Sequence, residues 1–182
     1  MPKNVGQNLD VKAKLRRIPS FKGVVFWDIT PILKDKKVFR ECIKRLADHY
    51  KGEDIDVVVS NEARGFIIGA PLAFALDVGF VPIRKKGKLP SKCVDLTYKK
   101  EYECDVIEIH EDAIEPGQKV LLIDDLLATG GTVKANIELI EKLGGKVVGI
   151  GFLIELNYLN GRKAIGDNYE VFSLIQCKST EG

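Results

Sequence analysis

Two adjacent carboxylates, Asp124 and Asp125, stand just ahead of a run of small and hydroxyl-bearing residues, Thr129-Gly130-Gly131-Thr132. These types in this order suit a sugar phosphate. Carboxylates accept hydrogen bonds from neighbouring ribose hydroxyls, and threonine hydroxyls donate to phosphate oxygens. Glycines let backbone N–H groups come close to an anion, and a helix beginning at such a turn adds its positive end. The flanking residues supply that frame. Residues 120–123 are a short apolar run of the kind that forms a buried strand, and 133–143 read as a helix. Ribose 5-phosphate is the ligand this arrangement fits first. Adjacent side chains of a regular strand point to opposite faces. Both acids reach one sugar only where the strand is ending, so it is expected to end there.

A second anionic group would need cations, and the chain has them at two further strand ends. Arg64 lies in Glu62-Ala63-Arg64-Gly65 after the apolar stretch 55–60. Arg84, Lys85 and Lys88 follow the stretch 80–83. Arginine grips phosphate oxygens through a planar fork, whereas lysine acts as a point charge. Lys86 and Lys92 read as solvated charges of the same loop. His49 and His110 have no Cys or His partner at metal spacing and read as packing or surface residues. The strings Gly-x-x-x-x-Gly-Lys-Ser/Thr and Gly-x-Gly-x-x-Gly are both absent from the sequence, which leaves a Walker loop and a dinucleotide fold without support.

The elements that must hold these groups alternate. Residues 37–50 repeat Val38, Cys42, Leu46 and Tyr50 on one helical face, and 66–76 are apolar at helical spacing up to Val78-Gly79. Strands are expected at 55–60, 80–83, 106–109, 120–123, 146–153 and 169–175, with a turn at Pro116-Gly117. Strands separated by helices imply crossovers and a mostly parallel sheet with helices on both faces, an α/β fold. Every motif named above then sits at the carboxyl end of a strand, where such sheets bind ligands. Residues before Ile55 lack this alternation and are expected to form an appendage, with Asp28-Ile-Thr-Pro31 opening a turn or helix. The segment from Leu89 to Asp105 has little apolar periodicity and is expected to be a loop acting as a lid.

At 182 residues, 45% of them hydrophobic and 30% charged, the chain is of a size for one globular domain. A net charge of +2 gives no case for nucleic acid or an anionic membrane. No apolar run reaches the ~20 residues of a membrane span, and the first residues lack a secretory signal. The scattered cysteines Cys42, Cys93, Cys104 and Cys177 suit free thiols in a reducing cytoplasm.

The stretch Val120-Leu-Leu-Ile-Asp-Asp-Leu-Leu-Ala-Thr-Gly-Gly-Thr132 resembles the phosphoribosyl-diphosphate signature of the type I phosphoribosyltransferases. The resemblance takes in Asn61-Glu62-Ala63-Arg64-Gly65-Phe66-Ile67, Ile83-Arg84-Lys85-Lys86-Gly87-Lys88-Leu89-Pro90 and Glu101-Tyr102, and runs roughly from Ile18 to Gln176. It implies one domain over 1–182, with a small N-terminal hood (about 1–35) over the base site and a flexible lid (about 89–105). It implies that Asp124, Asp125, Ala128, Thr129, Gly130, Gly131 and Thr132 hold the phosphoribosyl group. Glu62, Ala63, Arg64, Arg84, Lys85 and Lys88 would hold the diphosphate, with Arg64 and the two acids in the chemistry. Val25, Trp27 and Leu156 would contact the base, and Glu101 and Tyr102 would arrive with the lid, Glu101 to handle a proton. The activity implied is transfer of the 5-phosphoribosyl group from 5-phosphoribosyl 1-diphosphate to adenine, with substrate-bound magnesium, in a cytoplasmic homodimer.

Three departures bear on base selection. Trp27 stands where the family commonly has a basic residue, and Phe21-Lys22-Gly23 shortens a proline-rich run. Ser60-Asn61 replaces a small or apolar pair. A tryptophan can stack on a purine or fill a core. Another purine, hypoxanthine or xanthine, is the nearer alternative substrate, and a non-catalytic phosphoribosyl-diphosphate-binding regulator is the alternative of a different class.

Overall fold

A computed structural model describes residues 10–21, 24–99 and 104–181. It opens with an antiparallel pair, β1 (Arg16–Phe21) and β2 (Val24–Asp28), followed by α1 (Thr30–Lys34) and α2 (Lys36–Tyr50). Next come β3 (Val57–Asn61), α3 (Arg64–Leu76), β4 (Gly79–Lys85), and the strands β5 (Cys93–Lys99) and β6 (Cys104–His110). The chain then runs through β7 (Lys119–Leu127), α4 (Gly131–Lys142), β8 (Lys146–Leu156), α5 (Gly161–Ile165) and β9 (Val171–Cys177). Strands β3 to β9 form one sheet in the order β5-β6-β4-β3-β7-β8-β9. Its β4-β3-β7-β8-β9 portion is parallel, and β6 joins β4 antiparallel. This is the α/β architecture expected from the alternation of strands and helices.

Alternation along β7 feeds two cores. Leu121 and Ile123 pack on one face with Leu46, Tyr50, Ile68 and Leu72, from α2 and α3. Val120 and Leu122 pack on the other with Leu139 and Ile140 of α4. Burying each such aliphatic side chain contributes about 1.5–3 kcal/mol. α2 forms where Val38, Cys42, Leu46 and Tyr50 recur every four residues, and Asp35 caps it by accepting from the amides of Lys37 and Val38. The hood strands stay out of the main sheet but are not separate from its core. Val11, Trp27, Ile29 and Ile32 share a cluster with Leu153, Ile154 and Leu156.

Two expectations change. Residues 89–105 are not a plain loop, because β5 lies within them and pairs with β6 from Cys93↔His110 to Lys99↔Cys104. The reason is alternation of period two. Val94, Leu96 and Tyr98 turn onto the second core while Asp95 and Thr97 interleave them, which hides the strand from a search for continuous apolar runs. The second change is that β7 does not end at the acids but continues to Leu127. It pairs with β3 only as far as Ser60↔Ile123, yet stays paired with β8 to Leu127↔Glu155. One side of the strand comes free at the acids while the other still holds it.

Candidate active site

The site follows from that one-sided release. β3 leads through α3 to β4 on one side of the sheet, and β7 leads through α4 to β8 on the other. The order reverses between them, and a crevice opens outside their carboxyl ends. It is a cleft of about 240 Å³, lined by residues 61–64 from β3 and the start of α3, by 124–126 at the end of β7 and by 128–133 beyond it.

Asp124 Oδ1 accepts from the Asp125 amide at 2.8 Å. The carboxylate has room because Gly65 faces it: a Cβ on Gly65 would lie 2.7 Å from Asp124 Oδ1. Asp125 is buried, and Arg64 Nε lies 2.8 Å from its Oδ2 as an ion pair without hydrogen-bond alignment. The same guanidinium stands over the Phe26 ring, 5.4 Å from its centroid. Burial, and then the charge of Asp125, pushes the Asp124 carboxyl well above its ordinary range. Burial also raises Asp125, while Arg64 pulls against that rise. Two acids are thus crowded together, Asp125 buried and Asp124 half-buried at the cleft, with Arg64 beside Asp125. Ionised, they make a strong acceptor pair.

The turn beyond them is preorganised for an anion. Gly130 takes φ +85 at the N-cap of α4 and supplies no side-chain cap, so the first amides of the helix face the cleft without an internal partner. A side chain at Gly130 is excluded twice, by the positive φ and by Gly161 O, which a Cβ would meet at 2.4 Å. The Thr132 hydroxyl lies 3.3 Å from that of Tyr98 on β5, so the edge hairpin touches the turn.

Of the residues expected to take a diphosphate, Glu62, Ala63 and Arg64 line the cleft. The Glu62–Ala63 peptide is cis. Arg84, Lys85 and Lys88 stand outside the lining but are tied to it. Glu62 Oε2 accepts from Arg84 Nε at 2.9 Å and from the Lys85 amide at 3.2 Å. The buried Glu108 accepts from the amides of Lys88 and Leu89, both at 2.9 Å, and so shapes the basic turn. These backbone bonds hold its carboxyl below the ordinary range against the opposing effect of burial. Lys86 and Lys92 pair with Asp95 and Glu111 at the surface, as solvated charges do.

The base-site residues fall differently. Trp27 and Leu156 are buried in the first core with Val25 packed against it, and none of the three lines the cleft. The Trp27 indole is packed into the first core. Phe26 is the aromatic that the sequence reading missed. Strand alternation turns it away from the Trp27 face and toward Arg64. Period two along Val24-Val25-Phe26-Trp27 is the signal that could have found it. Glu101, Tyr102, Lys22 and Gly23 lie outside the described residues. His49 stacks on Phe172 at 3.8 Å, in keeping with packing, and no acid, His and Cys cluster able to hold a metal occurs among the described residues.

The raised range of the acid pair carries a stability consequence. An acid whose pKa is higher folded than unfolded favours folding as pH falls, and its ionised form opposes folding above the raised value. Ligand-free Asp124→Asn is therefore expected to melt above the parent at pH 8, by roughly 2–4 °C per kcal/mol relieved. The gap should narrow at pH 5. Thermal melts at both pH values check this, and a variant melting below the parent at pH 8 contradicts it.

Comparisons with known proteins bear on the family of the chain. An adenine phosphoribosyltransferase of Halothermothrix orenii is 57% identical over 170 residues, 92% of this chain and 99% of that protein. The crystal structure of adenine phosphoribosyltransferase from Thermoanaerobacter pseudethanolicus is 50% identical and superposes with a TM-score of 0.89, covering 92% of this chain and 98% of that one. The enzyme from Giardia lamblia complexed with 9-deazaadenine also gives a TM-score of 0.89 at 39% identity, covering 93% of this chain and 97% of that one. The phosphoribosyl transferase domain model matches residues 28–180, and with the acid pair and turn both at the sheet's switch point, the chain belongs to the phosphoribosyltransferase family.

Proposed function

We propose that this chain makes AMP and diphosphate from adenine and 5-phosphoribosyl 1-diphosphate, a purine salvage reaction. The observation that carries the reading is the convergence of Asp124, Asp125, Arg64 and the uncapped start of α4 on one cleft. Relatives with 57% and 50% identity over nearly the whole chain are adenine phosphoribosyltransferases, and the Giardia relative binds an adenine analogue. These support adenine over hypoxanthine or xanthine, and turnover over a binding-only regulator.

In this mechanism Asp124 and Asp125 accept from the ribose hydroxyls, and their charge favours the positive character that develops at the anomeric carbon. The amides and hydroxyls from Thr129 to Thr132 anchor the 5-phosphate, whose binding energy orients the reacting carbon. Arg64 exchanges its contact with Asp125 for the departing diphosphate, joined by Lys85, Lys88 and Arg84 from the turn that Glu62 and Glu108 shape. The cleft's acidic oxygens are hard donors of the kind magnesium accepts, so an ion held mainly by the substrate fits beside Asp124 and Asp125. Such an ion supplies charge neutralisation for the diphosphate. The base lies toward Phe26, with the hood residues Val25 and Trp27 and, from β8, Leu156 forming the wall behind it. Glu101 and Tyr102 close over the site, which keeps water from the activated ribosyl group, and Glu101 manages the proton of the imidazole ring.

A cytoplasmic homodimer completes the proposal. The four cysteines are free, and among the described residues no helix is long and apolar enough to cross a membrane. α3 is apolar all round after Arg64, and its outward stripe is uncovered, with Ile67 40% and Phe74 89% exposed. A helix without a polar face is normally buried, and a second copy of this chain is the cover proposed.

Two experiments test these statements. Purified protein given labelled donor is expected to release diphosphate with adenine and not with hypoxanthine or xanthine. The Asp124→Asn/Asp125→Asn double variant should lose at least about 10²–10³-fold in kcat/KM while staying folded. Equal use of another purine, donor binding without AMP release, or retained turnover in the double variant contradicts the reading. In sedimentation, the parent should run as a dimer and Phe74→Glu as a monomer. A monomeric parent would remove the self-association.

A further inference from the structure

We infer that Arg162 and Glu155, neither of which lines the cleft, are positioning residues for the 5-phosphate turn. The inference rests on the reading of residues 128–132 as a phosphate site. Glu155 lies on β8, in register with Leu127 at the end of β7 and with Gln176 on β9, and is only 3% exposed. Arg162, on α5, meets it with both arms of its fork: Nε donates to Oε1 and Nη2 to Oε2, each at 2.7 Å. Its third nitrogen, Nη1, donates to Val171 O at 2.8 Å, so one guanidinium joins β8, α5 and β9. A buried carboxylate needs such a partner, and only arginine offers this planar match.

What the clamp holds is the residue before it. Gly161 packs backbone to backbone against the turn: a Cβ there would lie 2.3 Å from Ala128 O and 2.8 Å from Leu127 Cδ1. From the other side, a Cβ on Gly130 would lie 2.4 Å from Gly161 O and 2.9 Å from the Ala164 Cβ. The start of α5 is thus the floor on which residues 128–130 rest. A five-residue helix is too short to hold itself, and Gly130 brings no side chain to cap its own helix. The floor keeps its place because Arg162 is fixed to Glu155. Loosening that fork lets the floor move and spreads the amides that face the phosphate, while the hood residues Val25, Phe26 and Trp27 are held separately by the pairing of β2 with β1.

Isothermal calorimetry with ribose 5-phosphate and steady-state kinetics separate this role from general softening. Arg162→Lys, which keeps the charge and loses the fork, is expected to raise the Kd for ribose 5-phosphate and the KM for the donor about tenfold, within the loss that a misplacement of up to 1 Å produces. The KM for adenine should stay within about twofold, while kcat falls along with donor binding, because the anchored phosphate orients the reacting carbon. If Arg162→Lys does not fold, the neutral pair Glu155→Gln/Arg162→Gln, which leaves no buried charge, is read the same way. Unchanged ribose 5-phosphate binding in a folded variant overturns the inference, as does equal weakening toward both substrates. A parent protein that fails to bind ribose 5-phosphate overturns the phosphate-site reading itself, a result distinct from either.

Discussion

The site exists because β7 loses one neighbour before it loses the other. Pairing with β3 stops at Ile123, and pairing with β8 continues to Leu127. Over those last residues the strand is rigid on one flank and open on the other. A strand freed on both flanks would splay, and one held on both would turn its polar groups into the ladder. The half-held state fixes Asp124 and Asp125 in the sheet's frame while leaving their carboxylates to face a crevice. The reversal of strand order between β3 and β7 makes room for the ligand at that same point.

Electrostatics follow from this placement. Carboxylates beside a buried strand are costly to ionise, and the structure offsets part of the cost with one arginine at the cleft and one buried amide. Neither partner neutralises both acids, so the pair keeps the capacity to accept from hydroxyl donors. The phosphate turn shows the same economy. Its helix amides have no cap, and its geometry is imposed by the packing of Gly130 on Gly161. Both halves of the cleft offer groups that suit a sugar phosphate: the acids can accept from hydroxyls, and the helix amides can donate to an anion.

Much of this was legible in the sequence wherever one local pattern settled the outcome. The apolar run of β7 followed by small residues marked strand, turn and helix, and the four-residue repeat of α2 marked its buried face. What escaped depended on neighbours distant in the chain. The persistence of β7 past its acids comes from β8, which lies beyond α4. β5 was hidden because Asp95 and Thr97 alternate with its packed residues. That Trp27 packs inward while Phe26 turns toward Arg64 is a matter of parity, set by how the hood docks on Leu153 to Leu156. The Glu155–Arg162 fork sits in no motif, and only the fold brings it to Val171 O and sets the neighbouring Gly161 against the turn.

The central claim is that this half-held strand end and the turn beyond it grip a single sugar phosphate. A crystal structure of the protein with AMP tests it most directly. The account predicts the ribose hydroxyls on Asp124 and Asp125 and the phosphate against the amides of residues 129–132. A nucleotide bound anywhere else, or one whose phosphate points away from that turn, would contradict it.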